Sequence, residues 1–147
     1  MTDQTPRQRW MGVLAKAPEA ALDRLWPDLG AEPAFDWLRA PEVGTVMVRG
    51  RAGGTGAAFN LGEMTVTRCS LRLATGEVGH AYVQGRSREK ARRAAIADAL
   101  MQSPRAAEVE ARLVAPLAAA QTRAKDARAA RAAATKVDFF TMVRGDD

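Results

Sequence analysis

At 147 residues, 47% hydrophobic and 27% charged, the chain is one domain's worth with enough apolar content to bury a core, which excludes a disordered polymer. Its single cysteine and single histidine exclude an internal disulfide and any metal centre that draws several thiolates or imidazoles from one copy. Net charge is +5, no apolar run approaches the roughly 20 residues that span a bilayer, and the N-terminus lacks the basic-then-apolar pattern of a leader, so the expected location is the cytoplasm.

Thr5-Pro6 is a cap followed by proline at the first helical position, and Trp10, Val13 and Leu14 form the apolar stripe of a first helix ending near Ala17. Pro18 starts a second helix, with Leu22, Leu25, Trp26 and Leu29 at helical spacing and Gly30 as its stop. Trp37 and Leu38 follow in a short extended piece, and Pro41-Glu42 turns the chain into the first strand. The three tryptophans read as packing residues rather than as a ligand box.

Period-two alternation predicts strands over residues 45–51, 63–73 and 78–86, the last two joined by the tight turn Ala74-Thr75-Gly76-Glu77. The alternation places Val46, Val48, Thr67, Cys69, Leu71, Leu73, Ala81 and Val83 on a buried face. Arg49, Arg51, Arg68, Arg72, His80, Tyr82, Gln84 and Arg86 fall on the opposite one. Five arginines on one side of a small sheet need water, carboxylates or phosphates between them. The connection over residues 50–63 holds glycines at 50, 53, 54, 56 and 62. It is no Walker loop, because no Gly-Lys-Ser/Thr follows, and no dinucleotide fingerprint, because a strand comes next. It reads as a long packed hairpin loop whose bare amides leave phosphate cradling open.

Ser87 caps a third helix running to about Gln102, with Ala91, Ala95, Ile96, Ala99 and Leu100 against the sheet and Arg88, Lys90, Arg92 and Arg93 toward water. Ser103-Pro104 restarts a helix through Val109 and Leu113, which Pro116 kinks or breaks. A further helix over residues 117–134 has only a stripe of Leu117, Ala120, Ala124, Ala127 and Ala134. It reads either as an arm over a neighbouring subunit or as a solvent-exposed helix supported by alanine propensity. Residues 135–147 crowd Val137, Phe139, Phe140, Met142 and Val143 together, so this tail is expected to dock, as a strand of its own sheet or in a partner's groove.

The expected architecture is α+β, a small antiparallel sheet with helices packed on one face, in a single domain over residues 1–147. Its parts are a helical N-terminal region (1–43), the sheet plus a helix (44–103), and a long C-terminal helical arm with its apolar tail (104–147). Glu63 and His80 are the catalytic candidates, and Arg49, Arg51, Gly53, Gly54 and Arg68 the phosphate-binding candidates. No nucleophile, base and orienting group assemble from these, and no metal site is expected. Phe139, Phe140, Met142 and Val143 are the candidate interface.

Charge is local: residues 45–93 carry nine basic and three acidic side chains, whereas residues 1–44 carry five and seven. A nucleic-acid-binding module using the arginine-rich sheet face is therefore the alternative reading. Against it, Tyr82 is the sole aromatic among those arginines, where a single-strand platform stacks bases on several rings.

The strings VMVRGRAGGTGAAFNLGEMTVTRCSLRL, GEVGHAYVQGR and TKVDFFTMVRGDD, with RQRWMGVLAKA near the start, carry a resemblance to a known family. The chain resembles the PhnG family, the G subunit of the bacterial carbon-phosphorus lyase core complex of phosphonate metabolism. Only the alanine-rich stretch 115–134 lacks a motif to align. The resemblance implies a required, non-autonomous subunit of ribose 1-methylphosphonate 5-triphosphate synthase, a transferase that works with the H, I and L proteins and uses MgATP as substrate. It further implies the J subunit as a companion in the complex, catalysis on the I subunit and no cofactor held by this chain alone. The apolar arm and tail add an expectation of self-association.

Overall fold

The computed structural model describes residues 4–51, 56 and 58–145, with the side chains of 51, 58, 60 and 136–145 outside that description. Its elements in order are helix α1 (Pro6–Lys16), helix α2 (Glu19–Leu25) with a 3-10 turn (Trp26–Leu29), strands β1 (Phe35–Arg51), β2 (Ala58–Leu73) and β3 (Val78–Gln84), helix α3 (Arg88–Leu100), helix α4 (Ala106–Val109), a π-helical turn (Glu110–Val114), and helix α5 (Ala115–Gly145). The sheet is antiparallel in the order β1-β2-β3, so the fold is α+β as the sequence predicts.

The caps form as read. Thr5 accepts from the Gln8 amide, Gln8 returns a bond to the Thr5 amide, and Pro6 opens α1. Ser87 accepts from the Lys90 amide at the start of α3, and Gly30 ends the 3-10 turn at φ +77°.

The hairpin of β2 and β3 keeps the predicted faces. Thr67, Cys69 and Leu71 lie opposite Val83, Ala81 and Gly79 on the buried side, while Arg68 and Ser70 meet Tyr82 and His80 on the exposed side. Helix α3 packs on all three strands, and nearly every side chain from Lys90 to Leu100 is buried, because α1 and α2 cover the side of α3 turned away from the sheet. This corrects the reading of Lys90, which is only 9% exposed. Desolvation pushes its ammonium below the usual lysine range, and the nearby Glu19 carboxylate opposes that shift.

Strand β1 departs from its predicted form in three respects. It begins at Phe35 rather than at 45 and runs through Pro41, which an edge strand tolerates on the side that donates no ladder bond. Its pairing with β2 continues to Arg51↔Ala58, so much of the segment read as loop is paired strand. Its faces are also exchanged. Val46 pairs with Met64, whose sulfur accepts from Gln84 on the exposed side, so Val46 and Val48 share the face of Arg68 and Tyr82. Alternation past Val48 puts Arg49 on the opposite face, away from Arg68, and the extra residue of the bulge at this point, Leu61, belongs to β2. Because β3 ends opposite Val66, residues 45–51 and 58–65 continue as a two-stranded ribbon beyond the three-stranded sheet.

Pro116 does not break the C-terminal helix. The turn before it widens, with the Ala115 amide bonded to the Glu110 carbonyl, and this π geometry makes room for a proline ring that an unbroken α-helix would drive into the carbonyl four residues back. The helix then continues through the tail, so the strand alternative for residues 135–145 is overturned by helical backbone. Among the described side chains of α5, those at its root touch the body. Leu117 is buried and the Gln121 amide donates to the Val13 carbonyl at 2.9 Å, whereas residues 122–135 are exposed throughout. From residue 122 to its end the arm is about 36 Å long.

Candidate functional site

One buried charge organises the body. Asp98, in the middle of α3, is fully buried and accepts from Arg7 Nε (3.2 Å) and a terminal guanidinium nitrogen (2.9 Å), from Trp10 Nε1 (2.8 Å) and from the His80 backbone amide (2.9 Å). This carboxylate ties α1 and β3 to α3, and its hydrogen bonds hold the Arg7 guanidinium above its ordinary range. A second bridge lies at the surface, where Arg92 binds Glu32 and Glu89 at once and lowers both carboxylates below their usual range. Glu32 also accepts from Trp26 Nε1, and Arg93 lies over the Trp26 ring at 5.6 Å. Trp10 and Trp26 are thus packing residues with their polar edges bonded, as expected, while Trp37 is partly exposed and packs edge-on to Phe35.

The candidate catalytic residues are not brought together. His80 is exposed, with Nδ1 2.7 Å from Ser70 Oγ, directly across the β2–β3 pair. Glu63 pairs with Met47 far along the ribbon, roughly 23 Å up β2 from the Ser70–His80 rung. The phosphate candidates are dispersed too. Arg49 lies opposite Asn60 on the ribbon, and Arg68 lies opposite Glu42 and pairs with it at 3.7 Å. The Arg51 side chain, Gly53 and Gly54 lie outside the described residues, as do the side chains of Phe139, Phe140, Met142 and Val143, whose backbone forms the outer part of α5.

The crowd of five arginines on one face is not what forms. Arg49 is off that face because the faces of β1 are exchanged, Glu42 answers Arg68, and Asp36 stands opposite Arg72 in register. Carboxylates interleave with the cations, and no feature among the described residues supports the nucleic-acid alternative. No group of three or more metal-ligating side chains occurs among the described residues, and no described helix is long and apolar enough to cross a membrane.

Two features project instead. The ribbon exposes Met47, Phe59 and Leu61, the last 62% accessible. The arm α5 leaves the body beside a groove of about 490 Å³, floored by Val13, Pro18, Ala21 and Leu117 and edged by Lys16, Lys125 and Arg128. Sequence reasoning found the arm but missed Asp98. The available signal was an acidic residue set among Ala94, Ala95, Ala97 and Ala99, a position that burial permits only with partners.

The fold and its surfaces therefore define an α+β protein whose candidate residues converge on no reaction centre among the described residues and whose apolar features are turned outward. The chain belongs to the family described as phosphonate metabolism protein PhnG, whose model matches residues 5–145. One relative is the alpha-D-ribose 1-methylphosphonate 5-triphosphate synthase subunit PhnG of Rhizobium meliloti (strain 1021). It is 49% identical over 143 residues, which cover 96% of this chain and 90% of the relative.

Proposed function

We propose that the chain is the G subunit of a ribose 1-methylphosphonate 5-triphosphate synthase, required for assembly of the active complex and not itself catalytic. The observation that carries this reading is the 49% identity, over 96% of the chain, to a relative bearing that subunit name. In the reaction a phosphonate oxygen bonds to the anomeric carbon of ATP's ribose as the carbon–nitrogen bond to adenine breaks. Such a displacement needs groups gathered within hydrogen-bond reach of the leaving base and the triphosphate. The wide separation of Glu63 from His80 favours a catalytic centre on another subunit. The partners in this reading are the H and I subunits and the L protein, with J in the same core complex. MgATP is the substrate of the assembly, this chain holds no cofactor of its own, and the work takes place in the cytoplasm.

Adenine release from MgATP and methylphosphonate tests the proposal. The isolated chain is expected to release none, the set of H, I and L with this chain to release adenine, and the same set without it to fail. Within the complete set, His80→Ala and Glu63→Gln are each expected to change turnover by about twofold or less. Turnover by the isolated chain, or a hundredfold loss in either variant, would overturn the non-catalytic assignment.

A further inference from the structure

We propose that two copies of the chain pair through antiparallel α5 arms, with residues 137–147 of each entering the groove at the root of the other. The groove has apolar walls, three cations (Lys16, Lys125 and Arg128) and, among the described residues, no acidic residue in its lining. Residues 137–147 have the complementary composition: Val137, Phe139, Phe140, Met142 and Val143 with Asp138, Asp146 and Asp147 against the single Arg144. The segment cannot fold back into its own groove, because α5 is one helix and holds its far end about 30 Å from its root. A second copy meets that geometry.

The arms themselves suit such a pairing. Alanines at 120, 124, 127 and 134 leave little bulk on one stripe, so two helices can approach closely, and the antiparallel arrangement sets Ala127 of one copy against Ala134 of the other. Ala120 and Ala124 also line the groove, so stripe and groove form one continuous surface. A two-fold axis through the crossing fills both grooves and leaves no open end, which yields a closed dimer rather than a fibre. A standard interface buries about 800 Å² per partner, which the arms and the two filled grooves would supply together.

Light scattering on the purified chain alone is expected to give twice its 15.8 kDa at micromolar concentration, with dissociation promoted by salt. The variant K16E/K125E/R128E and the variant D138K/D146K/D147K are each expected to be monomeric with unchanged circular dichroism, and mixing the two should restore a dimer, since each tail then meets a groove of opposite charge. A monomeric parent chain, including one that associates only when H, I or L is added, would overturn the proposal and give the groove to a partner subunit. Persistence of the dimer after removal of residues 138–147, or failure of the charge-reversed pair to recombine, would overturn it equally. These outcomes are independent of adenine release, so the pairing and the synthase assignment can fail separately.

Discussion

Gly79→Ala is expected to destabilise the protein by at least about 3 kcal/mol in urea unfolding, more than a single added methyl usually costs. A Cβ at this position overlaps the Ala95 carbonyl oxygen and comes within 3.0 Å of both the Ala95 carbonyl carbon and Ala99 Cβ. The obstacle is the backbone of α3, which cannot rotate out of the way as a side chain can, so β3 and α3 must separate and open the core that Leu71, Ile96 and Ala99 share. Gly44→Ala is the control on the same sheet. Nothing lies within 4 Å of its added Cβ, and its effect is expected to stay within about 1 kcal/mol. Equal stabilities for the two variants would show that α3 does not approach β3 this closely.

Asp98→Ala is expected to cost about 2–5 kcal/mol, from two orphaned donors and one lost ion pair. The Arg7 side chain is 40% exposed and can return to water, but Trp10 Nε1 and the His80 amide lose their acceptor in the interior. Arg7→Ala leaves the fully buried Asp98 carboxylate without its counter-charge, held by Trp10 Nε1 and the His80 amide, and should cost a comparable amount, about 3–5 kcal/mol. Asp98→Asn keeps an acceptor oxygen without the charge and should cost less than either. Chemical denaturation of the three variants ranks these effects, and a loss below about 1 kcal/mol for Arg7→Ala would mean that the buried carboxylate does not rely on the guanidinium.

The hairpin of β2 and β3 was legible because its strands are unbroken and one face of each is buried, so the period of two survives from Thr67 to Val83. β1 was not legible, for a local reason. Register shifts between Trp37 and Arg39 and between Arg39 and Glu42 concealed its first half. The alternation of residues 45–48 is intact but does not say which face meets the core, and the apolar Val46 and Val48 lie on the side of Arg68 in a ribbon that runs beyond β3. Pro41 compounded the error by reading as a turn where an unpaired strand edge accepts it. Asp98 was hidden because its partners are remote, Arg7 lying 91 residues away, and a helical pattern of small residues does not announce which charge it encloses. Composition revealed that the tail is too apolar to stay uncovered, but it left a strand of its own sheet and a partner's groove both open, and helical backbone continuous with α5 removes the strand.

The π turn before Pro116 has a consequence for how the arm is aimed. A π turn carries one residue more than an α turn, and each residue of an α-helix advances the azimuth by about 100° and the axis by about 1.5 Å. The body end of this turn is fixed by Leu113 and Val114 in the core and by Arg112, which donates to the Asp28 carbonyl at 3.0 Å. Everything beyond it inherits its angular phase from the number of residues between 110 and 114, not from their identity. A one-residue deletion or insertion there would leave every side chain of the arm chemically unchanged and rotate all of them together by more than a quarter of a revolution. Ala124 would then leave the groove for another bearing, and any protein that grips body and arm at once would lose one of its two handholds.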